Sequence, residues 1–230
     1  MNLDSQSTRL SASSQEPRIL SETSHWIVLD KPSGWLSIPG RSGRSDGGTQ
    51  PPVVLRWVRE RYSEALTVHR LDVETSGVMI FARGAEAHRQ ASLWFQNREV
   101  RKLYVCLASG RSPRPILKIQ KPVEGAPCVT QVEVVAQFAA AFRAYARPMG
   151  GKRHQIRLHL AEAGHPLLGD SRYGGPRTIR SGQAGASSIG IERVALHAEA
   201  LELPSGERFV APLPADFLRW LAALEEETPR

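Results

Sequence analysis

Val78-Met79-Ile80-Phe81-Ala82 is a run of bulky or β-branched apolar residues unbroken by charge, the pattern of a buried strand, and the polar stretch from His69 to Gly77 before it reads as a loop held by a rigid scaffold. Upstream, Ile19-Leu20 and Trp26-Ile27-Val28-Leu29 are strand-like, and Lys31-Pro32-Ser33-Gly34 reads as a turn in which Pro fixes φ and Gly permits unusual angles. Val54, Trp57, Val58 and Arg61 recur at helical spacing behind Pro51-Pro52, predicting a helix over residues 53–62. Ala87, Ala91, Trp94 and Phe95 predict another over residues 85–97, with the aromatic pair in the core. Residues 101–108 alternate, with Leu103, Val105 and Leu107 on one face and Lys102, Tyr104 and Cys106 on the other.

Arg111, Arg114, Lys118 and Lys121 lie among prolines in a stretch that reads as irregular, followed by strands over residues 129–135 and 141–146. Ile156, Leu160 and Ala163 share a face of a helix over residues 155–163, stopped by Gly164 and Pro166. Residues 40–48 and 178–190 have the Gly and Ser content of mobile loops, residues 195–203 are strand-like, and residues 217–224 suggest an amphipathic helix packing back on the sheet. Strands and helices mix without strict βαβ alternation, which favours α+β over a doubly wound fold. The polar residues 1–17 are expected to be a loose tail, and 18–230 one domain.

With 230 residues and 41% apolar content, the chain can build a sizeable core. Its net charge of +7 and pI near 9.9 imply a polyanionic partner, nucleic acid or anionic membrane. The charge is segregated: eight Lys or Arg against two acids between Arg143 and Arg180, but seven acids against three Arg from Glu199 onward. A concentrated patch favours phosphate contacts. No apolar stretch approaches the roughly 20 residues needed to span a bilayer, there is no signal-peptide core, and no lysine-rich amphipathic helix speaks for a lipid surface. Cys106 and Cys128 follow no CxxC spacing, which fits a reducing cytoplasm, and His154, His159 and His165 do not align on one helix face as metal ligands would. Hydrolase-elbow, dinucleotide and P-loop motifs are absent.

Asp72 stands out as candidate chemistry. Arg70 precedes it, and Thr75, Ser76 and Gly77 follow, able to turn the backbone and donate to a carboxylate. On residues alone, the competing reading is an Asp that caps a turn, with Arg70 as an ordinary surface cation. Lys102 and Tyr104 on one strand face could meet a phosphate and a base, or Tyr104 could be a sheet tyrosine whose hydroxyl reaches solvent.

His69-Arg70-Leu71-Asp72-Val73-Glu74-Thr75-Ser76-Gly77 with the run after it resembles the catalytic motif of the RluA family of RNA pseudouridine synthases. Asp30-Lys31-Pro32-Ser33-Gly34, Arg101 to Leu107, and Gly151 to Leu160 continuing through Gly164 to Asp170 resemble three further family segments, in the right order, so that coverage runs from about Ile19 to Pro214. The resemblance implies a single catalytic domain with a long, largely antiparallel mixed sheet, a central cleft and flanking helices. Too few residues precede Ile19 for the N-terminal S4 domain that some members carry. The resemblance implies isomerisation of uridine in a tRNA or rRNA stem-loop without cofactor or metal; the chain itself is expected to be a cytoplasmic monomer that binds no membrane. By the same resemblance Asp72 is the catalytic carboxylate, Arg157 pairs with it to keep it ionised, and Tyr104 stacks on the uracil. The resemblance also implies that Arg70 fills the space left by the flipped base; from charge placement, Lys102, Lys152 and Arg153 are expected to hold the RNA backbone. The alternative is a non-catalytic RNA-binding protein or chaperone on the same fold; the presence of Asp72, Tyr104 and Arg157 argues against it.

Overall fold

The buried strand sits near the middle of a sheet that joins both halves of the chain. A computed structural model describes residues 15–40, 51–181 and 187–227. Among these residues the strands are β1 (Arg18–Glu22), β2 (Trp26–Lys31), β3 (Ala65–Thr67), β4 (Ser76–Arg83), β5 (Arg101–Ser109), β6 (Ile116–Val123), β7 (Ala126–Gln137), β8 (Ala141–Pro148), β9 (Thr178–Ser181), β10 (Ser187–Gly190), β11 (Leu196–Glu202) and β12 (Arg208–Val210). The helices are α1 (Val54–Arg59), α2 (Ala85–Gln96), α3 (Gln155–Glu162) and α4 (Ala215–Glu227), with a 3-10 turn at Ser171–Tyr173. The fold is α+β, as expected.

Ten strands form one sheet in the order β1-β2-β4-β11-β5-β8-β7-β6, with β3 beside β4 and β12 beside β11. Every pairing in it is antiparallel except β4 with β11. At that junction His197 lies opposite Ser76 and Ala198 opposite Gly77. Gly77 adopts φ +117°, and a Cβ there would lie 2.2 Å from the Ala198 carbonyl oxygen. Only glycine lets the two backbones approach so closely.

Both sheet faces are covered. Val105 and Leu107 of β5 pack with Phe217, Trp220 and Leu224 of α4, so the C-terminal helix does pack back on the sheet. Cys106 and Ala108, on the opposite face, pack with Ile156 and Leu160 of α3. The alternation in β5 therefore separates two buried layers, and its second face opens only at Lys102 and Tyr104. A third cluster gathers Val28, Ile80, Val58 and Ala91 from β2, β4, α1 and α2, with Trp94 and Phe95 packed against it as expected of core aromatics.

Two segments differ from the sequence reading. The basic stretch read as irregular contains β6, paired with β7 across its whole length. β6 is an edge strand, where Pro122 needs no ladder partner for its missing N–H. The ends of the expected loop at 178–190 pair as the β9–β10 hairpin. Residues 1–14 of the expected tail and 41–48 of the other glycine-rich loop lie outside the described residues, whereas the Gln15 carbonyl accepts from the Trp35 indole at 3.1 Å.

Candidate active site

The loop ahead of β4 is fixed through its backbone. The Lys31 ammonium, fully buried, donates to the carbonyls of Thr75 at 2.7 Å, Pro32 at 3.0 Å and Val73 at 3.3 Å. Ser33 Oγ donates to the Glu74 carbonyl at 3.0 Å, and Gly34 N–H to that of Val73 at 2.8 Å. Ser37 Oγ donates to the Leu71 carbonyl at 2.8 Å and accepts from the Leu71 N–H at 3.0 Å. Thus the turn after β2 grips residues 71–75 without using their side chains. Burial and Arg193 lower the Lys31 pKa to about 7, while Asp72 and Asp30 pull it upward. On the loop's other flank, His69 Nε2 accepts the Ile80 N–H at 3.0 Å and its ring stacks on Phe95 with centroids 4.9 Å apart. Burial, with Lys102 nearby, pushes that imidazole down to about 3, so it remains neutral as its acceptor role requires.

Strand register then brings Tyr104 to the loop. Tyr104 pairs with Ala198, which pairs with Gly77, so the ring stands two strands from the loop's end. Asp72, Tyr104, Arg70, Lys102, Arg157 and His154 all line one cavity of about 570 Å³. Burial and the Asp72 carboxylate hold the Tyr104 phenol well above its ordinary pKa.

The other expected site residues behave differently from one another. Arg70 is exposed at the mouth and makes no hydrogen bond or ion pair with another described residue, and the same holds for the side chains of Lys152 and Arg153. Lys102 lines the cavity, but its ammonium donates to the Gly150 carbonyl. Burial and Arg98 lower its pKa to about 8. Arg157 does not pair with Asp72 as expected. Its Nε and Nη2 clasp Asp170 Oδ2 at 2.7 Å and Oδ1 at 2.8 Å, and its Nη1 meets Glu74 Oε2 at 3.0 Å. Arg157 is fixed by a buried acid on one side and by the loop's own Glu74 on the other, and it influences Asp72 only across space.

The group closest to a direct partner for Asp72 is His154, with Nε2 3.8 Å from Asp72 Oδ1. In the sequence this histidine stands out only as one of three whose spacing does not suit a metal. Its place in the Lys152-Arg153-His154-Gln155 stretch is the available signal, whereas Asp170, Tyr173 and Lys31 have none beyond their segments. Among the described residues, no group of three or more His, Cys, Asp or Glu is arranged to hold a metal, and no helix is long and apolar enough to cross a membrane.

A cavity beside the middle of a mixed sheet, lined by a backbone-clamped aspartate, a half-buried tyrosine and several cations, suits a polyanionic substrate. A family model described as RNA pseudouridylate synthase matches residues 25–162, and the chain belongs to that family, whose members isomerise uridine to pseudouridine in RNA. The dual-specificity RNA pseudouridine synthase RluA of Escherichia coli (strain K12) is 35% identical over 226 residues, covering 88% of this chain and 96% of the relative. Ribosomal large subunit pseudouridine synthase D of Xanthomonas campestris pv. campestris is 34% identical over 234 residues, covering 92% of this chain and 70% of the relative. The solved human RNA Pseudouridylate Synthase Domain Containing 4 shares the fold, with a TM-score of 0.68 at 22% identity over 93% of this chain and 95% of that one.

Proposed function

We propose that this enzyme isomerises uridine in structured tRNA or rRNA with Asp72 as the reacting carboxylate. The observation that carries the reading is the meeting of Asp72 and Tyr104 in one cavity of about 570 Å³, within the size range of small-ligand pockets. In the isomerisation the N1–C1′ bond breaks, uracil turns, a C5–C1′ bond forms, C5 gives up a proton and N1 gains one. Asp72 attacks or stabilises the detached intermediate. Tyr104 stacks on the base and, with its raised pKa, works as a neutral hydroxyl that passes a proton along rather than as a phenolate.

A stacked uridine must first leave its helix, at about a few kcal/mol. Arg70, exposed and without a described partner, is free to enter the vacated space, where a planar guanidinium can stack and hydrogen-bond. Lys152 and Arg153 hold the flanking phosphates. A monomer acting in the cytoplasm, with residues 18–230 as its catalytic domain, completes this reading. The test is pseudouridine formation on RNA by Asp72→Ala and Asp72→Asn. Both are expected to be inactive, and activity surviving in both overturns the assignment.

A further inference from the structure

His154 occupies a conformation that a histidine rarely adopts. It precedes α3 with φ 56° and ψ 19°, the left-handed region, a strained conformation that persists only where surroundings impose it. The surroundings are visible: its carbonyl accepts the Leu158 N–H at 2.9 Å, and its ring meets the Tyr173 ring edge-on at 5.7 Å. The side chain is 9% exposed. Its two nitrogens face different partners, Nδ1 lying 2.8 Å from the Tyr173 hydroxyl and Nε2 3.8 Å from Asp72 Oδ1.

That geometry selects one tautomer. A lone pair on Nε2 would face the Asp72 carboxylate, so the proton belongs on Nε2, and Nδ1 then accepts from the Tyr173 O–H. Tyr173 is itself fixed, since its N–H donates to Asp170 Oδ1 at 3.3 Å and the Arg157 guanidinium lies over its ring at 5.3 Å. Around the imidazole stand Asp72, which favours its charged form, and Arg157, Arg153 and Arg172, which oppose it. Burial also opposes it and is the largest influence, holding the pKa below its ordinary value.

We infer that His154 is a positioning residue for Asp72: a neutral imidazole, set in its tautomer by Tyr173, that aims an N–H at the carboxylate and fixes its orientation for reaction. A neutral donor orients the carboxylate while leaving it more reactive than a tight cationic partner would. The separation of 3.8 Å is about 1 Å longer than an N–H···O hydrogen bond, and such contacts tighten when substrate fills a site. The inference rests on Asp72 being the reacting group.

The experiment combines kinetics of His154→Ala, His154→Gln and Tyr173→Phe on one RNA substrate with ¹⁵N NMR of the His154 ring in the parent. His154→Ala is expected to lower kcat by about ten- to a hundredfold with KM little changed, the size of effect that follows from a misplaced reacting group. Gln, which keeps an N–H donor, should recover part of the loss, and Tyr173→Phe should cost about fivefold, the worth of one neutral hydrogen bond. The ring should show a proton on Nε2 alone near neutral pH. An imidazolium or an Nδ1–H ring overturns the inference even if the variants fold poorly, as does parental kcat in His154→Ala alongside an inactive Asp72→Asn. Activity in Asp72→Asn and Asp72→Ala would instead overturn the assignment of Asp72 on which it rests.

Discussion

Arg157 and Asp170 form a two-pronged ion pair in which the arginine side chain is 3% exposed and the aspartate 0%. Removing one member of such a pair leaves the other charged and enclosed, which costs about 3–5 kcal/mol. Arg157→Leu should therefore lose stability of that order in urea denaturation. Asp170→Asn should lose less, because Glu74 still meets Arg157 at 3.0 Å. Pseudouridine assays should show kcat falling in Arg157→Leu, since this residue ties α3 to the loop that carries Asp72. Equal stability of both variants and the parent would mean that the pair contributes nothing to holding the site.

Lys31 has a pH signature. With its folded pKa lowered to about 7, against about 10.4 in an unfolded chain, the folded protein binds fewer protons than the unfolded one between those values. Below pH 7 the ammonium is charged in both states and its burial penalty is fully present; as pH rises through the window the penalty is relieved and stability increases. Urea denaturation of the parent and Lys31→Met from pH 7 to pH 10 should show the parent gaining relative to the variant by a few kcal/mol in order of magnitude. Parallel curves would show that Lys31 titrates normally.

Cations at the rim should act on binding more than on chemistry. Replacing Lys152 and Arg153 by Ala removes two side chains that face no described partner, so the plot of log K against log salt should become shallower by about 0.7 to 0.9 for each phosphate that is no longer neutralised. KM should rise more than kcat falls, because these cations hold substrate and transition state alike. Filter binding at several salt concentrations checks the first point and steady-state kinetics the second; an unchanged slope would remove both residues from the RNA surface.

Gly77→Ala should be among the costliest single-methyl changes. It meets the Ala198 carbonyl at 2.2 Å from a backbone with φ +117°. A loss of about 2–4 kcal/mol is expected from overpacking plus backbone strain, measured by thermal or urea unfolding. Parental stability would mean that the β4–β11 junction is looser than its geometry.

Much of this was legible in local pattern. The apolar run of β4, the alternation of β5 and the helical spacing of α2 and α3 each follow from short-range periodicity, and the family-like segments located Asp72 and Tyr104. β6 escaped because its cations and Pro122 look like loop chemistry, although Glu124 and Gly125, with φ 51° and 74°, form the two-residue turn that pairs Val123 with Ala126. An edge strand tolerates what a central one does not. The partner of Arg157 was illegible for a different reason. Asp72, Glu74 and Asp170 are all acids within reach of a long side chain, and only tertiary placement decides which two it meets. His154 likewise takes its role from Tyr173, 19 residues away, through a left-handed backbone that no periodicity announces.

The junction between β4 and β11 also sets an order in time. Ser76 Oγ meets His197 Nδ1 at 2.9 Å across 121 residues of chain, and the Arg193 guanidinium reaches back to the Glu74 carbonyl at 3.4 Å. A ribosome adding about 5–20 residues per second exposes the aspartate loop on the order of ten seconds before the strand that completes its seat. Loop closure over such a span is slow as well as late. During synthesis, then, the nascent chain carries its aspartate for some seconds without the strand that seats it, and the site is complete only once β11 folds into the middle of the sheet.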